Sequence, residues 1–162
     1  RNNMILYFVI IVAGIILDQV TKWIAVVQLK GNPSFPLWEG VLHFTYLENT
    51  GAAFGILKGN RWVFMLISSV AIIAMLYYLM RYRPKDKIMG IGLSLIISGG
   101  IGNMIDRIVQ GYVVDFIDFT LINFAIFNLA DSWVCIGAVL LFIYMIFTKE
   151  ERADDAAEVH RG

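Results

Sequence analysis

Two aspartates are the residues of this chain best suited to do chemistry. Asp115 lies in Val-Val-Asp-Phe and Asp131 in Phe-Asn-Leu-Ala-Asp-Ser, each at the edge of a long apolar segment. An ionised carboxylate is costly inside a bilayer, so such an acid is a functional hypothesis by default. Two adjacent carboxylates share one proton because they do not both ionise easily. The ionised member could then activate water against a carbonyl, while the protonated member polarises that carbonyl or protonates the leaving amine.

A structural interpretation of the same aspartates stays open from the residues alone. Asp115 and Asp131 are sixteen positions apart, so no single helix places them side by side. Only a connector that leaves one helix and returns into the next could join them. Alternatively, each is an interfacial carboxylate at a helix end. Asn128 would suit a helix N-cap, and Asp131 would suit the positive end of that helix dipole.

The composition indicates a membrane protein. The 162 residues are 59% hydrophobic and 16% charged, and the mean hydropathy is +0.71. A soluble domain of this size could not hide so much apolar surface. The formal net charge is zero, which gives no basic field for nucleic acid. One cysteine and two histidines give neither a disulfide framework nor a Cys/His metal site.

Four apolar segments are long enough to span a bilayer, which takes roughly 20 residues each. They cover residues 4–27, 62–80, 88–108 and 128–147. The sequence therefore predicts an all-α membrane protein with four transmembrane helices in one domain, residues 1–148. The remaining residues, 149–162, are polar and mixed in charge, and they are predicted to form a disordered cytoplasmic tail.

The two long connectors differ from the spans in amino-acid composition. In the first, 28–61, Pro33 and Pro36 break helices, whereas 41–46 has strand propensity. We expect a small extracytoplasmic β-cradle there, between helices one and two. The second connector, 110–126, is rich in aromatic residues, and we expect it to lie in the membrane interface.

Lysine and arginine are concentrated on one side of the predicted bundle. The loop 81–87 carries four cations, Lys149 and Arg152 follow the fourth helix, and Arg1 precedes the first. The positive-inside rule then places both termini and this loop in the cytoplasm. Both long connectors, and with them the two aspartates, are expected at the outer face.

Polar residues also interrupt the first helix and the connector that follows it. Asp18 and Lys22 are four residues apart and share a helical face, so they could pair or brace a site. Lys22 could instead snorkel to the interface. After the strand-like run, Asn49 could offer a donor and an acceptor to a peptide backbone. Gly51 and Gly55 could equally form a tight turn with a small packing face.

The third helix ends in the run Gly-Gly-Ile-Gly-Asn-Met-Ile-Asp-Arg, residues 99–107. Its glycines thin the helix, so a neighbouring helix or a substrate can approach closely. Asn103 and Arg107 share a face and could contact substrate. The alternative is helix packing with an interfacial pair between Asp106 and Arg107.

Five blocks occur in order: Asp18-Gln-x-Thr-Lys22, Asn49-x-Gly-Ala-Ala-Phe54, Gly99-Gly-x-Gly-Asn-x-x-Asp-Arg107, Val114-Asp115-Phe116 and Phe127-Asn-x-Ala-Asp131. Together they resemble the lipoprotein signal peptidases, also called signal peptidase II, over about residues 4–147. The resemblance implies an aspartyl endopeptidase of the bacterial inner or plasma membrane. Such enzymes remove signal peptides from prolipoproteins and cleave just before a cysteine already modified with diacylglycerol.

The resemblance also implies roles for individual residues. Asp115 and Asp131 become the catalytic dyad. Candidates for holding substrate backbone or orienting the dyad are Asn49, Asn103, Arg107 and Asn128. Supports of the site are Asp18, Lys22, Gly51 and Asp106. The expected partners are the lipidated substrates, membrane lipids and inhibitors of the globomycin type. Neither a metal, a cofactor nor nucleic acid is expected, and the protein is expected to act as a monomer.

Two other classes compete with this interpretation. A small transporter or channel component could use Asp115, Asp131 and Arg107 as a proton or ion relay, and would give pH- or potential-driven flux without cleavage. A four-helix membrane adaptor would use the same acids merely as helix caps. In that case, replacing either aspartate by asparagine would change no activity.

Overall fold

Four long helices form the body of the protein in the computed structural model, which describes residues 3–51 and 61–159. They are α1 (Met4–Leu29), α2 (Arg61–Tyr82), α3 (Lys87–Val109) and α4 (Leu129–Val159). Each contains a stretch long and apolar enough to cross a bilayer. The predicted existence of four spans is therefore confirmed. Helices α1, α2 and α3 begin and end within two residues of the predicted spans 4–27, 62–80 and 88–108.

Helix α3 is the central helix of the bundle. Half of its apolar span is buried, against 6% for α2 and 11% for α4. It packs most extensively along α4, then along α1 and α2. The contact with α4 is close because α3 presents small residues. A Cβ atom on Gly99 would overlap the carbonyl group of Ala130.

A three-stranded antiparallel sheet joins the two long connectors. Its strands are β1 (Phe35–Trp38), β2 (Leu42–Asn49) and β3 (Val113–Asp118), in the spatial order β1-β2-β3. The predicted cradle after α1 is thus present. The prediction for 110–126 was incomplete, because this connector supplies β3 to the same sheet. A short strand whose partner lies more than sixty positions earlier leaves no local pattern in the sequence.

The register between β2 and β3 places polar residues beside each other. Leu47 lies opposite Asp115, and Asn49 lies opposite Val113. Asn49 and Asp115 are therefore diagonal neighbours on one face of the sheet, since side chains two apart on a strand point the same way. Val114 and Phe116 lie on the other face, where they pack with Ala25 of α1.

The sheet lies at the end of the bundle where α1 and α3 finish and α4 begins. At the opposite end, Tyr7 donates its hydroxyl to the carbonyls of Pro84 and Asp86, at 3.1 and 3.2 Å. Asp86 caps α3 by accepting the backbone N–H of Met89 at 3.0 Å. The cationic loop 81–87 and the two aspartates are consequently at opposite ends of the molecule.

The tail differs from its prediction. Helix α4 continues to Val159, so residues 149–159 are helical rather than disordered. This stretch is rich in Glu, Lys, Arg and Ala, which have high helix propensity, and it continues a helix already nucleated in the span. The prediction for residues 160–162 lies outside the described residues.

Candidate active site

Asp115 lies in the middle of β3 and is almost completely buried, with 1% of its surface exposed. Asn49 donates its side-chain amide to Oδ2 at 2.9 Å, and Asn128 donates to Oδ1 at 2.7 Å. Burial raises the pKa of Asp115 from its ordinary 3.8 to about 6, the two amides oppose that rise, and the charge of Asp131 adds to it. Asp115 is therefore a carboxyl group poised to titrate slightly below neutral pH.

Asp131 lies in the first turn of α4, in a reciprocal cap with Asn128. The Oδ1 atom of Asn128 accepts the backbone N–H of Asp131 at 2.9 Å, and Oδ2 of Asp131 accepts the backbone N–H of Asn128 at 3.2 Å. This is the geometry of a capping box, with an asparagine at the N-cap and an aspartate three residues on. The cap predicted for Asn128 is thus present. It coexists with the contact to Asp115 rather than replacing it.

A third amide completes the set around the two carboxylates. Asn103 of α3 donates from Nδ2 to Oδ1 of Asp131 at 2.8 Å. Its Oδ1 atom accepts from Asn128 Nδ2 at 3.1 Å and from Lys22 Nζ at 2.9 Å. A lysine ammonium can only donate, so the oxygen of Asn103 must face Lys22 and its NH₂ group must face Asp131.

The amide of Asn49 is fixed in the same way. Its Oδ1 atom accepts the backbone N–H of Gly51 at 3.0 Å, which turns its NH₂ group toward Asp115. The predicted support role of Gly51 therefore has a specific contact. The rest of the predicted turn, including Gly55, lies outside the described residues.

Lys22 is the centre of a buried ionic hub made of Lys22, Asp18 and Asp106. Its ammonium lies 2.9 Å from Asp18 Oδ2 and 3.0 Å from Asp106 Oδ2, in addition to the bond to Asn103. All three charged side chains are at most 4% exposed. Lys22 thus points into the bundle instead of snorkelling to the interface. The predicted Asp18–Lys22 pair is confirmed, and it includes Asp106 as a second carboxylate.

Each carboxylate of the hub also holds the residue that precedes one of the two candidate catalytic aspartates. Asp18 Oδ1 accepts the backbone N–H of Ala130 at 2.9 Å. Asp106 Oδ2 accepts the backbone N–H of Val114 at 3.1 Å. Through these bonds α1 fixes the start of α4, and α3 fixes β3.

Gln19 belongs to this network, although no role was predicted for it from the sequence. Its Nε2 atom lies 3.1 Å from Asp18 Oδ2, 3.2 Å from the carbonyl of Gly102 and 3.0 Å from Asp106 Oδ1. An amide directly after Asp18 inside an otherwise apolar helix was the available signal. Arg107 lies one turn after Asn103 and donates from Nη1 to the carbonyl of Asn103 at 3.2 Å.

The carboxylates of the site are bonded to nitrogen donors. Within the described ranges there is no group of three or more His, Cys, Asp or Glu side chains that could hold a metal ion. The hub carboxylates already share the ammonium of Lys22, and the other two aspartates accept from amides. Asp115 and Asp131 are both held by Asn128, whose side-chain amide donates to Asp115 and whose backbone N–H donates to Asp131.

Four spans and a pair of amide-held carboxylates at one end define a multi-pass membrane protein with a buried acidic site. The family model for signal peptidase (SPase) II matches residues 10–147. The chain belongs to this family.

Curated relatives and solved structures agree with the family model. The lipoprotein signal peptidase of Halalkalibacterium halodurans is 44% identical over 150 residues, which cover 91% of this chain and 94% of that protein. The lipoprotein signal peptidase of Bacillus subtilis is 44% identical over 149 residues, covering 91% and 97%. A bacterial membrane enzyme solved by the in meso method superposes with a TM-score of 0.82 at 35% identity, over 90% of each chain. A second such structure gives 0.78 at 38% identity, over 86% of this chain and 91% of the other.

Proposed function

We propose that this chain is an intramembrane aspartyl endopeptidase that removes signal peptides from diacylglyceryl-modified prolipoproteins. Asp115 and Asp131 are its dyad, and cleavage falls just before the lipidated cysteine. Family membership supports the substrate class. The observation that carries the residue assignment is that amides of Asn49, Asn103 and Asn128 all turn their N–H groups toward these two carboxylates.

The dyad acts on a peptide bond by moving protons. The ionised carboxylate takes a proton from water as the water oxygen bonds to the scissile carbonyl carbon. The protonated carboxyl group donates to the carbonyl oxygen. When the C–N bond breaks, the carboxyl group that now holds the proton gives it to the leaving amine. A hydroxyl of the tetrahedral diol returns its proton to the other carboxylate as the new carbonyl forms, so the pair again holds one proton. Because burial raises the pKa of Asp115 to about 6, this carboxyl group holds its proton below about that pH and loses it above.

Asn128 and Asn103 orient the dyad in this proposal. Asn128 is completely buried, and its side chain is bonded to Asp115, Asn103 and the backbone of Asp131 and Val114. A residue so placed positions other groups and does not reach a substrate. Asn103 joins the hub to Asp131 and acts in the same way.

Arg107 is the residue we assign to the substrate backbone. It is partly exposed and lies on the α3 face that carries Asn103. A guanidinium has five N–H donors in a fixed fork, which suits peptide carbonyls. Asn49, at the end of β2, stands between the dyad and the continuation of the first connector, and we assign it a second contact with substrate.

The position of the dyad fits a substrate that arrives within the membrane. A signal helix with a lipid anchor diffuses laterally, so its scissile bond must meet water at the rim of the bilayer. The dyad lies where α3 ends and α4 begins, beside the sheet. Irregular backbone at this depth is tolerated where it is buried in protein or lines a cavity. With the cationic loop 81–87 cytoplasmic, the dyad faces the outer side and both termini the inner side.

The test is cleavage of a diacylglyceryl-modified prolipoprotein by the purified chain in detergent, followed by gel shift. Asp115→Asn and Asp131→Asn should fold but lose cleavage. Asp118→Asn is the matched control, because Asp118 lies on the same strand and accepts from Thr45 Oγ1 at 2.9 Å, away from the dyad. It should retain the wild-type rate.

A second arm of the test uses the same prolipoprotein without its lipid. The proposal requires that wild type cleave the lipidated form preferentially and that globomycin stop it. Near-normal cleavage by either dyad variant would reassign that aspartate to a structural role. A folded wild type that leaves the lipidated substrate intact would remove the peptidase proposal, and proton flux in liposomes would be measured next.

A further inference from the structure

A groove separate from the dyad runs between α1 and the sheet. Its volume is about 510 Å³, within the range of sites that hold small molecules. The α1 wall includes Ile24 and Ala25, and the sheet contributes one phenylalanine from each strand, Phe35, Phe44 and Phe116. It lies on the α1 side of the sheet, whereas Asp115 faces α3 and α4.

The lining of the groove is apolar at one end and polar at the other. None of its lining residues carries a charge. At the deep end the hydroxyl of Thr21 donates to the backbone carbonyl of Asp18 at 2.9 Å, within α1. The amides of Gln28 and Asn32 lie together where α1 finishes, while Ile24 and Ala25 lie a turn deeper in the span. This gradient fits an amphiphile whose tail enters alongside α1 and whose polar part stays at the level of the two amides.

The mouth of the groove continues the surface that faces lipid. The α1 span ends at Leu29, so this level is the edge of the hydrocarbon region. Four large apolar side chains on the last two turns of α1 and on β1 are exposed, namely Trp23, Val27, Leu37 and Trp38. Large apolar and aromatic side chains exposed at the end of a span are typical of contact with the membrane interface.

An exposed ammonium lies at the mouth of the groove. Lys30 follows the lining residue Leu29 directly, and its side chain is 52% exposed. Its ammonium contacts Glu48 at 2.7 Å and lies over the ring of Tyr46. An ammonium has three donors, so Lys30 can hold Glu48 and also meet a phosphate oxygen.

We infer that this groove is a binding site for one membrane phospholipid, with an acyl chain between Ile24 and the three phenylalanines and the phosphate near Lys30. The site is distinct from the dyad and does not depend on the proposed peptidase activity. The groove is nevertheless connected to the dyad through strand β3. Phe116, which forms the groove wall, directly follows Asp115, so an occupied groove supports β3 from behind.

The test is photolabelling of the full chain in nanodiscs with a phosphatidylglycerol that carries a diazirine at the end of one acyl chain. The labelled peptides are mapped, and labelling is measured as unlabelled phosphatidylglycerol is added. We expect labels on residues 21–35 and on the peptides of Phe44 and Phe116. This labelling should saturate as the probe is added and should be displaced by unlabelled phosphatidylglycerol. Labelling by contact with bulk lipid would instead rise in proportion to the mole fraction of the probe.

Two tryptophan variants distinguish the groove from the rest of α1. Ile24 lines the groove and is 47% exposed, while Val20 is 46% exposed on the same helix and does not line it. Ile24→Trp fills the groove and should lower the saturable labelling by about tenfold, corresponding to about 1.4 kcal/mol. Val20→Trp should leave it unchanged.

Three outcomes would overturn the inference. Labelling spread evenly over the outer faces of all four spans means bulk lipid contact only. Saturable labelling that Ile24→Trp does not reduce places the site elsewhere. Labelling of the groove by a diazirine-bearing prolipoprotein lipid, but not by phosphatidylglycerol, makes the groove part of substrate binding. Saturation in wild type is decisive by itself if Ile24→Trp fails to fold.

Discussion

Asn128 reaches Asp115 across 2.7 Å although the two residues lie on different elements, the N-cap of α4 and the middle of β3. The same side chain accepts the backbone N–H of Asp131 at 2.9 Å. One asparagine therefore caps a helix through its Oδ1 atom and holds the carboxylate of Asp115 through its Nδ2 atom. These two roles can be separated by mutation.

Asn128→Ser should keep the helix cap and lose the contact with the Asp115 carboxylate. A serine hydroxyl caps a helix about as well as asparagine does, but it is too short to reach Asp115 as well. Asn128→Ala should lose both roles, with a further cost of about 1 kcal/mol for the cap. We expect both variants to cleave poorly, and only Asn128→Ala to melt clearly earlier in detergent. Wild-type cleavage by Asn128→Ser would mean that Asn128 is a cap and nothing more.

The stability of the protein should depend on the ionisation of Asp115. The folded pKa of this acid is raised to about 6 from 3.8, chiefly by burial, so the folded state binds its proton more tightly than the unfolded chain does. The stabilisation is complete below 3.8 and is lost as pH rises through about 6. Melting temperatures of wild type measured from pH 4 to 7 should therefore fall relative to those of Asp115→Asn. Parallel curves would contradict the raised pKa.

The rate of cleavage should change over the same pH range. Because burial raises the pKa of Asp115 to about 6, kcat/KM is expected to show a limb that falls as pH rises through that value and Asp115 loses its proton. Asp118→Asn should reproduce this limb, because its carboxylate takes no part in the dyad. A profile that is flat between pH 5 and 7 in both proteins would argue against Asp115 as a proton-transfer group.

Removal of the ammonium from the ionic hub should severely lower the stability of the protein. Lys22→Met leaves Asp18 and Asp106 buried without a cation, and breaking such a pair typically costs about 3–5 kcal/mol. It also frees the amide of Asn103 to rotate away from Asp131. A triple variant that adds Asp18→Asn and Asp106→Asn removes the uncompensated charge. It should recover melting temperature without recovering full activity, and a stable, fully active Lys22→Met would contradict both expectations.

Two adjacent glycines on α3 offer a matched pair of substitutions. A methyl group on Gly99 would overlap the carbonyl of Ala130, which is backbone that cannot easily yield. A methyl group on Gly100 meets the flexible side chain of Ile72 at 3.0 Å. We expect Gly99→Ala to lower both melting temperature and cleavage, since Ala130 precedes Asp131. Gly100→Ala should behave like wild type, helped by the better helix propensity of alanine. Equal behaviour of the two would exclude close packing as the reason for Gly99.

The sequence predicted what depends on hydropathy and on short-range spacing. The four spans follow from the hydropathy of each segment. Patterns within a few residues predict the first connector strand, the Asp18–Lys22 pair and the cap at Asn128. The strand β3 could not be predicted in this way, because its partner β2 lies before two intervening helices. Gln19 and the second carboxylate on Lys22 were missed for the same reason, since α3 brings Asp106 to α1 from more than eighty positions away.

The orientation of the amides was likewise beyond the sequence. Asparagine offers a donor and an acceptor, and its type alone does not say which one faces a carboxylate. In the structure, Lys22 and the backbone N–H of Gly51 decide this for Asn103 and Asn49. The candidate residues could therefore be named from the sequence, while their direction of donation required the fold.

The ionic hub of Lys22, Asp18 and Asp106 has a consequence for how the protein is made. Before α1 and α3 meet, Lys22 can pair only with Asp18 on its own helix, whereas Asp106 on α3 would enter lipid without a counter-charge, which is unfavourable. Contact between these two helices satisfies all three charges at once. The pair they form carries the anchors for β3 and for the start of α4, since Asp106 holds Val114 and Asp18 holds Ala130. Assembly of α1 with α3 is therefore a precondition for positioning both members of the acidic pair.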